Sequence, residues 1–73
     1  MEVNKRILAY HLSRLKDKNP EVRLKTIHEL RLLGDPDALE ALQSLYENDS
    51  NREVRRAAQE AGRIIFLKQQ AGR

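Results

Sequence analysis

Displacing the chain by 32 residues against itself lays Asp17 on Asp49, Asn19 on Asn51, Glu21-Val22-Arg23 on Glu53-Val54-Arg55 and Arg31 on Arg63. The same displacement puts Ala9 on Ala41 and sets Ile7 and Tyr10 on Leu39 and Leu42. No other feature restricts the fold as much, because units of roughly 20–50 residues that repeat in this way stack on their neighbours and share one continuous core. Each unit reads as a helix, a polar four-residue turn containing Asp, and a second helix that opens with Glu-Val-Arg. Neither helical hairpin buries its apolar stripe alone. The reading is one domain over 1–73, with repeat one at about 4–34, repeat two at about 35–69 and a frayed tail at about 70–73.

Apolar residues recur at helical spacing along almost the whole chain, and no useful stretch alternates as a strand would, so the fold class is all-α. A first helix at about 4–16 collects Ile7, Leu8, Leu12 and Leu15 on one side, with His11 among them. Asn19 followed by Pro20 starts the second helix: the amide oxygen caps a free N–H, and proline suits the first turn because its missing N–H has no partner there. That helix, at about 20–33, carries Val22, Thr26, Ile27, Leu30 and Leu33 inward, and Gly34 closes it in the left-handed conformation. Asp35-Pro36 repeats the cap-then-proline start for a third helix at about 36–47, burying Ala38, Leu39, Leu42, Leu45 and Tyr46. Residues 48–51 are turn chemistry, and a fourth helix at about 52–69 places Val54, Ala57, Ala58, Ala61 and Ile65 on one stripe.

Composition narrows function mainly by exclusion. The chain has 14 Lys and Arg against 11 Asp and Glu, a mild positive balance that permits polyanion binding without requiring it. Five acids and no base lie between Asp35 and Asp49, whereas five bases and two acids lie between Arg52 and Lys68. These neighbouring segments either pair within the molecule or present opposite faces to partners. There is no Cys, hence no disulfide and no thiolate metal site. His11 reads as a hydrogen-bonded core or boundary residue, and His28 is not a dyad with Glu29, since adjacent helical residues do not face each other. Metal binding is therefore not expected. No phosphate-cradling loop can be built from Gly34, Gly62 and Gly72, no nucleophile motif is present, and two hairpins enclose no deep pocket, so the chain reads as a non-enzyme without a cofactor. No apolar run has the length of a membrane span, and the opening residues mix charge with aliphatics, which points to a cytoplasmic protein.

The stretches DKNPEVRLKTIHELRLLGDPDALEAL and NDSNREVRRAAQEAGRII resemble HEAT repeats, most closely the short HEAT-like class named after phycobilisome lyases. The likeness runs over about 5–66 and implies an α-α superhelix. Its anchors here are Asp17, Val22, Arg23 and Gly34, then Asp49, Val54 and Arg55 in the second unit. Arg23 and Arg55 stand at the edge of the apolar stripe, within reach of a turn carboxylate such as Asp17 or Asp49. The family usually has small residues in the middle of the second helix, where this chain has Lys25, Thr26 and Ile27, and Gly62 takes the place of a large apolar residue. In such stacks the second helices line the concave face. Leu24, His28, Arg31 and Leu32, with Arg56, Glu60, Arg63 and Leu67, form the expected partner-binding surface there.

The resemblance implies a protein-interaction or scaffold module, binding a protein partner or a second copy through the concave face or an exposed terminal helix. An assembly or chaperone-like role in a larger complex such as a phycobilisome is one concrete form. Two alternatives remain: nucleic-acid binding through Arg31, Arg56, Arg63 and Lys68, opposed by Glu60 in the same row and by few aromatics, and an accessory subunit of a bilin lyase.

Overall fold

The computed structural model describes the backbone of residues 2–71 and the side chains of residues 5–71. Four α-helices follow one another as α1 (Glu2–Arg14), α2 (Pro20–Leu33), α3 (Leu39–Asn48) and α4 (Arg52–Ala71), with a 3-10 turn at Pro36–Ala38 leading into α3. Among the described residues there is no strand. The fold is the all-α pair of hairpins that the repeat implies. α2 begins and ends at the expected residues. Asn19 accepts the N–H of Glu21 through its side chain, and Gly34 adopts φ +72° with its N–H on the Leu30 carbonyl. Asp35 caps the next segment through the N–H of Asp37.

Several boundaries differ from expectation. α1 begins at Glu2, ahead of the expected 4. α1 stops at Arg14 instead of continuing to 16, because Leu15, Lys16 and Asp17 turn back onto carbonyls near its end. Pro36–Ala38 forms a 3-10 turn rather than the first turn of an α-helix, the tighter winding with which helices commonly begin. α4 runs to Ala71, two residues past 69; of the tail expected to fray, Gly72 and Arg73 lie outside the described residues.

The core joins Leu8 and Leu15 from the first hairpin's outer leg, Ile27 and Leu30 from α2, and Ala38 and Leu42 from the second hairpin to Val54, Ala58, Ala61 and Ile65 of α4. Thr26 is also fully buried, and its hydroxyl donates to the Val22 carbonyl, which satisfies the one polar side chain in this layer. α4 packs on both α3 and α2, so it belongs to both repeats. Four residues assigned to the core are not in it. Ile7, Leu33 and Tyr46 are about two-fifths exposed, and Val22 is only partly buried.

The first helices explain part of this. Their buried residues align at a displacement of 30, with Leu8 on Ala38, Leu12 on Leu42 and Leu15 on Leu45, while the turns and second helices align at 32. α3 continues to the residue before Asp49, whereas α1 ends three residues before Asp17, which accounts for the two-residue offset. At about 100° per residue, two residues carry a side chain most of the way to the opposite face. Tyr10 is accordingly exposed, although the uniform displacement matched it with buried Leu42.

Candidate functional site

The two repeats are fastened at their turns. The Asp17 carboxylate accepts the N–H of Asn19 at 2.9 Å, and Asp49 accepts that of Asn51 at 2.9 Å, so each aspartate shapes its own turn. Arg23 Nη1 then donates to the carbonyl oxygens of Asp17 (2.7 Å) and Lys18 (3.1 Å) in its own repeat. Its Nη2 crosses to the second repeat and donates to Asp49 Oδ1 at 3.0 Å. Nε lies 2.9 Å from Asp49 Oδ2 but off the hydrogen-bond line, so it adds charge attraction without a bond. Both side chains are largely shielded from water, 12% and 6% exposed. Arg55 repeats the intra-repeat half of this pattern, Nη1 donating to the Asp49 carbonyl at 2.8 Å. Among the described residues no carboxylate forms an ion pair with Arg55, and no cation forms one with Asp17.

α2 and α4 lie side by side and leave an open groove between and along them. A depression of about 620 Å³ is bordered by Leu24, Arg56, Ala57, Glu60 and Arg63, with Glu53 and Gln59 at its margin. A smaller recess of about 180 Å³ shares Leu24, Ala57 and Glu60 and adds Ile27, His28, Arg31 and Ala61. The floor is aliphatic and the rim carries both signs of charge. Of the eight residues expected at a partner surface, six therefore meet here: Leu24, His28, Arg31, Arg56, Glu60 and Arg63. Leu24 is half-buried on the core rather than projecting freely. Leu32 and Leu67 are exposed but border neither recess. Arg31 Nη2 stands 3.1 Å from His28 Nδ1. Arginine can only donate, so this contact is a hydrogen bond in the tautomer that leaves Nδ1 free to accept.

Two charge clusters escaped the sequence reading because they cross between helices that periodicity treats separately. Glu29 receives Arg14 Nη1 at 3.1 Å and lies 3.3 Å from His11 Nδ1, which makes no hydrogen bond of its own there. His11 thus lies at the boundary, as expected, but its buried Nδ1 lacks the hydrogen bond expected of it. Lys5 Nζ bridges Asp35 (3.1 Å) and Asp37 (2.6 Å), tying α1 to the junction between repeats. The N–H of Asp37, together with this ammonium, holds the Asp35 carboxyl below its usual range, and the two carboxylates raise the Lys5 pKa. The acidic segment from Asp35 to Asp49 consequently pairs with Lys5 and Arg23 of repeat one, and not with the basic side chains of α4 that follow it in sequence. Among the described residues no three His, Asp or Glu side chains gather as a metal site would need, and no helix is long and apolar enough to cross a membrane.

Comparison with known proteins gives two matches. The profile of the family described as HEAT repeats matches residues 3–62. The human protein named condensin complex subunit 3 is 44% identical over 61 residues, an alignment that takes in 77% of this chain and 6% of that protein. The chain thus corresponds to a small part of that relative's length. No solved structure matches the chain.

Proposed function

Because the chain belongs to the HEAT repeat family, we propose that it is a non-catalytic protein-interaction or scaffold module that receives a protein partner in the groove between α2 and α4. One observation carries this reading: an aliphatic floor of Leu24, Ile27, Ala57 and Ala61 lies under a rim of mixed charge from Arg31, Arg56, Glu60 and Arg63. Apolar anchors within a charged margin are how protein interfaces obtain affinity at the centre and selectivity at the edge. A helix or extended segment with aliphatic side chains and charges of both signs suits this groove. The relative supports the same class, since its name makes it a subunit of a larger complex. The phycobilisome-lyase variant draws no support from either match, so the family reading rests at HEAT repeats.

Nucleic-acid binding is the weaker alternative. Glu53 and Glu60 interrupt the arginine row at the groove, where a phosphate-tracking surface needs continuous positive charge. The test places a photo-crosslinking amino acid at Arg56 in the groove or at Glu47 on exposed α3, each in the protein expressed in its own cells. Protein adducts at 56 and not at 47, abolished by Glu60→Arg, support the groove; equal adducts at both positions, or none at 56, overturn it. Anisotropy with labelled duplex DNA and single-stranded RNA supplies the second arm. Saturable binding that falls steeply with salt and vanishes on replacing Arg31, Arg56 and Arg63 would replace this proposal with the alternative.

A further inference from the structure

The contact that joins the two repeats recurs on their outer faces as two separated halves. Arg55 stands one period after Arg23 and holds the carbonyl of its own turn in the same way, with no carboxylate among the described residues in the position that Asp49 occupies for Arg23. Asp17 stands one period before Asp49 and shapes its turn through the same N–H bond, with no guanidinium on its outer side among the described residues. It is exposed to solvent. We propose that copies of this chain associate head to tail, with Arg55 of one copy closing on Asp17 of a second as Arg23 closes on Asp49.

The surfaces flanking these residues are complementary in the same register. Inside the molecule Ile27 meets Ala57 and Ala61, a large side chain set against small ones. One period onward, on the outer side of repeat two, Gln59 replaces Ile27 and Gly62 replaces Leu30. A groove of about 510 Å³ opens there, bordered by Gly62, Tyr46 and Phe66 with Glu40 and Arg63 at its edge. One period back, on repeat one, the positions of Ala57 and Ala61 are held by Lys25 and Glu29. Translating the internal joint by one repeat therefore sets two long side chains of the second copy against the surface where this chain has shrunk to glycine. Sizes are exchanged across the joint, so the combined volume is kept. The charges match as well: Lys25 meets Glu40, and Glu29, which also holds Arg14 of its own copy, meets Arg63. This favours the arrangement over one that pairs two identical faces. Such a head-to-tail joint does not close on itself, so it generates open chains whose length grows with concentration. It uses the outer faces of the two hairpins and shares only Gln59 and Arg63, at the edge of α4, with the α2–α4 groove, and its test reads the mass of the chain alone, without the partner proposed above.

Sedimentation velocity of the full chain over a wide concentration range tests this. The weight-average mass of the unmodified chain should climb steadily. Arg55→Gln and Asp17→Asn should each sediment as a monomer, the asparagine keeping the turn acceptor. An equimolar mixture of the two variants should form a one-to-one dimer and nothing larger, because the first retains Asp17 and the second retains Arg55. Gly62→Leu, which fills the groove without touching the turn, should also remain monomeric, and helical circular dichroism checks that each variant is folded. A wild-type monomer at every concentration overturns the proposal, as does association that survives both turn variants. A mixture no more associated than its components overturns it too, since only complementary ends rescue each other.

Discussion

Replacing Arg23 by Met keeps most of the buried stem and removes the guanidinium, which isolates what the cross-repeat contact contributes. Asp49 would then stay 6% exposed with only the Asn51 N–H on its carboxylate, and the carbonyls of Asp17 and Lys18 would lose their donor. Removing one member of a buried ion pair typically costs about 3–5 kcal/mol, and the lower end applies here because the turn can relax toward water. We therefore expect a loss of about 3 kcal/mol, a large share of the roughly 4–11 kcal/mol available to a chain of this size. Arg55→Met is the internal control. It sits at the same place in the second repeat but makes one hydrogen bond to a carbonyl, so it should cost only about 1 kcal/mol. Urea unfolding followed by far-ultraviolet circular dichroism measures both. Asp49→Asn, alone and combined with Arg23→Met, completes a cycle in which the coupling should be about 1–3 kcal/mol. Equal losses at Arg23 and Arg55, or strictly additive losses in the cycle, would refute the view that the turns are fastened across the repeats.

Three further outcomes follow from single positions. Gly34→Ala should cost about 1 kcal/mol in the same urea assay, since φ is +72° while the added Cβ meets nothing nearer than Lys68 Nζ at 3.9 Å, leaving backbone strain as the whole effect. Gly62→Ala should stabilise the monomer by about 0.5–1 kcal/mol, because a Cβ there makes ordinary 4.0 Å contacts with Leu39 and Leu42 and helix interiors disfavour glycine. Asp35→Asn tests the lowered Asp35 pKa. A carboxyl whose pKa falls on folding adds stability above its unfolded pKa, near 3.9, and loses that contribution as pH drops through the lower folded value. The thermal-melt difference between wild type and variant should thus be full near neutrality and shrink below about pH 4; a constant difference would sink the assignment.

The second helices were legible because their determinants are local. Asn19-Pro20 and Gly34 each make their cap within a few residues, and α2 starts and stops there, whereas Asp35-Pro36 makes its cap but opens a 3-10 turn ahead of α3. The core of α4 was legible for a related reason: Val54, Ala58, Ala61 and Ile65 follow one helical stripe at spacings of three and four, and Ala57 and Ile64 only flank it. The first helices were harder. Ile7, Leu8, Leu12 and Leu15 all fit a stripe, and choosing among them depends on where the helix stops before Asp17, which is a property of the turn and not of the stripe. Arg23 was placed near a turn carboxylate, but Asp17 and Asp49 were equal candidates until the stacking of repeats decided for the latter. The Arg14–Glu29 and Lys5–Asp35 pairs join residues on different helices, and no spacing in a single sequence marks such pairs. Six of the eight residues expected at a partner surface line the groove because helical period tells which side of α2 and α4 is not the core. Leu32 and Leu67 were not separated from them, since the groove is narrower than the solvent-facing arc of either helix.

In a stacked-repeat protein the chemistry that holds neighbours together and the chemistry that binds partners are the same, because every end face is an internal face with one side missing. The distinction lies in how far each end departs from the internal pattern. An end meant only to face water would replace every joint-forming group by a small or solvated one. Here the departures are selective: Ile27 and Leu30 become Gln59 and Gly62, and Ala57 and Ala61 become Lys25 and Glu29 when read toward the other end, yet Asp17 and Arg55 are both retained. Solvation alone explains the changes to Gln59 and Lys25, and the ion pair with Arg14 explains Glu29. It does not explain a glycine in the interior of the longest helix, where it weakens the element and leaves a depression between Tyr46 and Phe66. Nor does it explain an arginine held in place by its own turn with the rest of its fork unclaimed by any described carboxylate. Both features become intelligible once the C-terminal face is read as a joint awaiting a second hairpin, with the groove between α2 and α4 left free for a different partner.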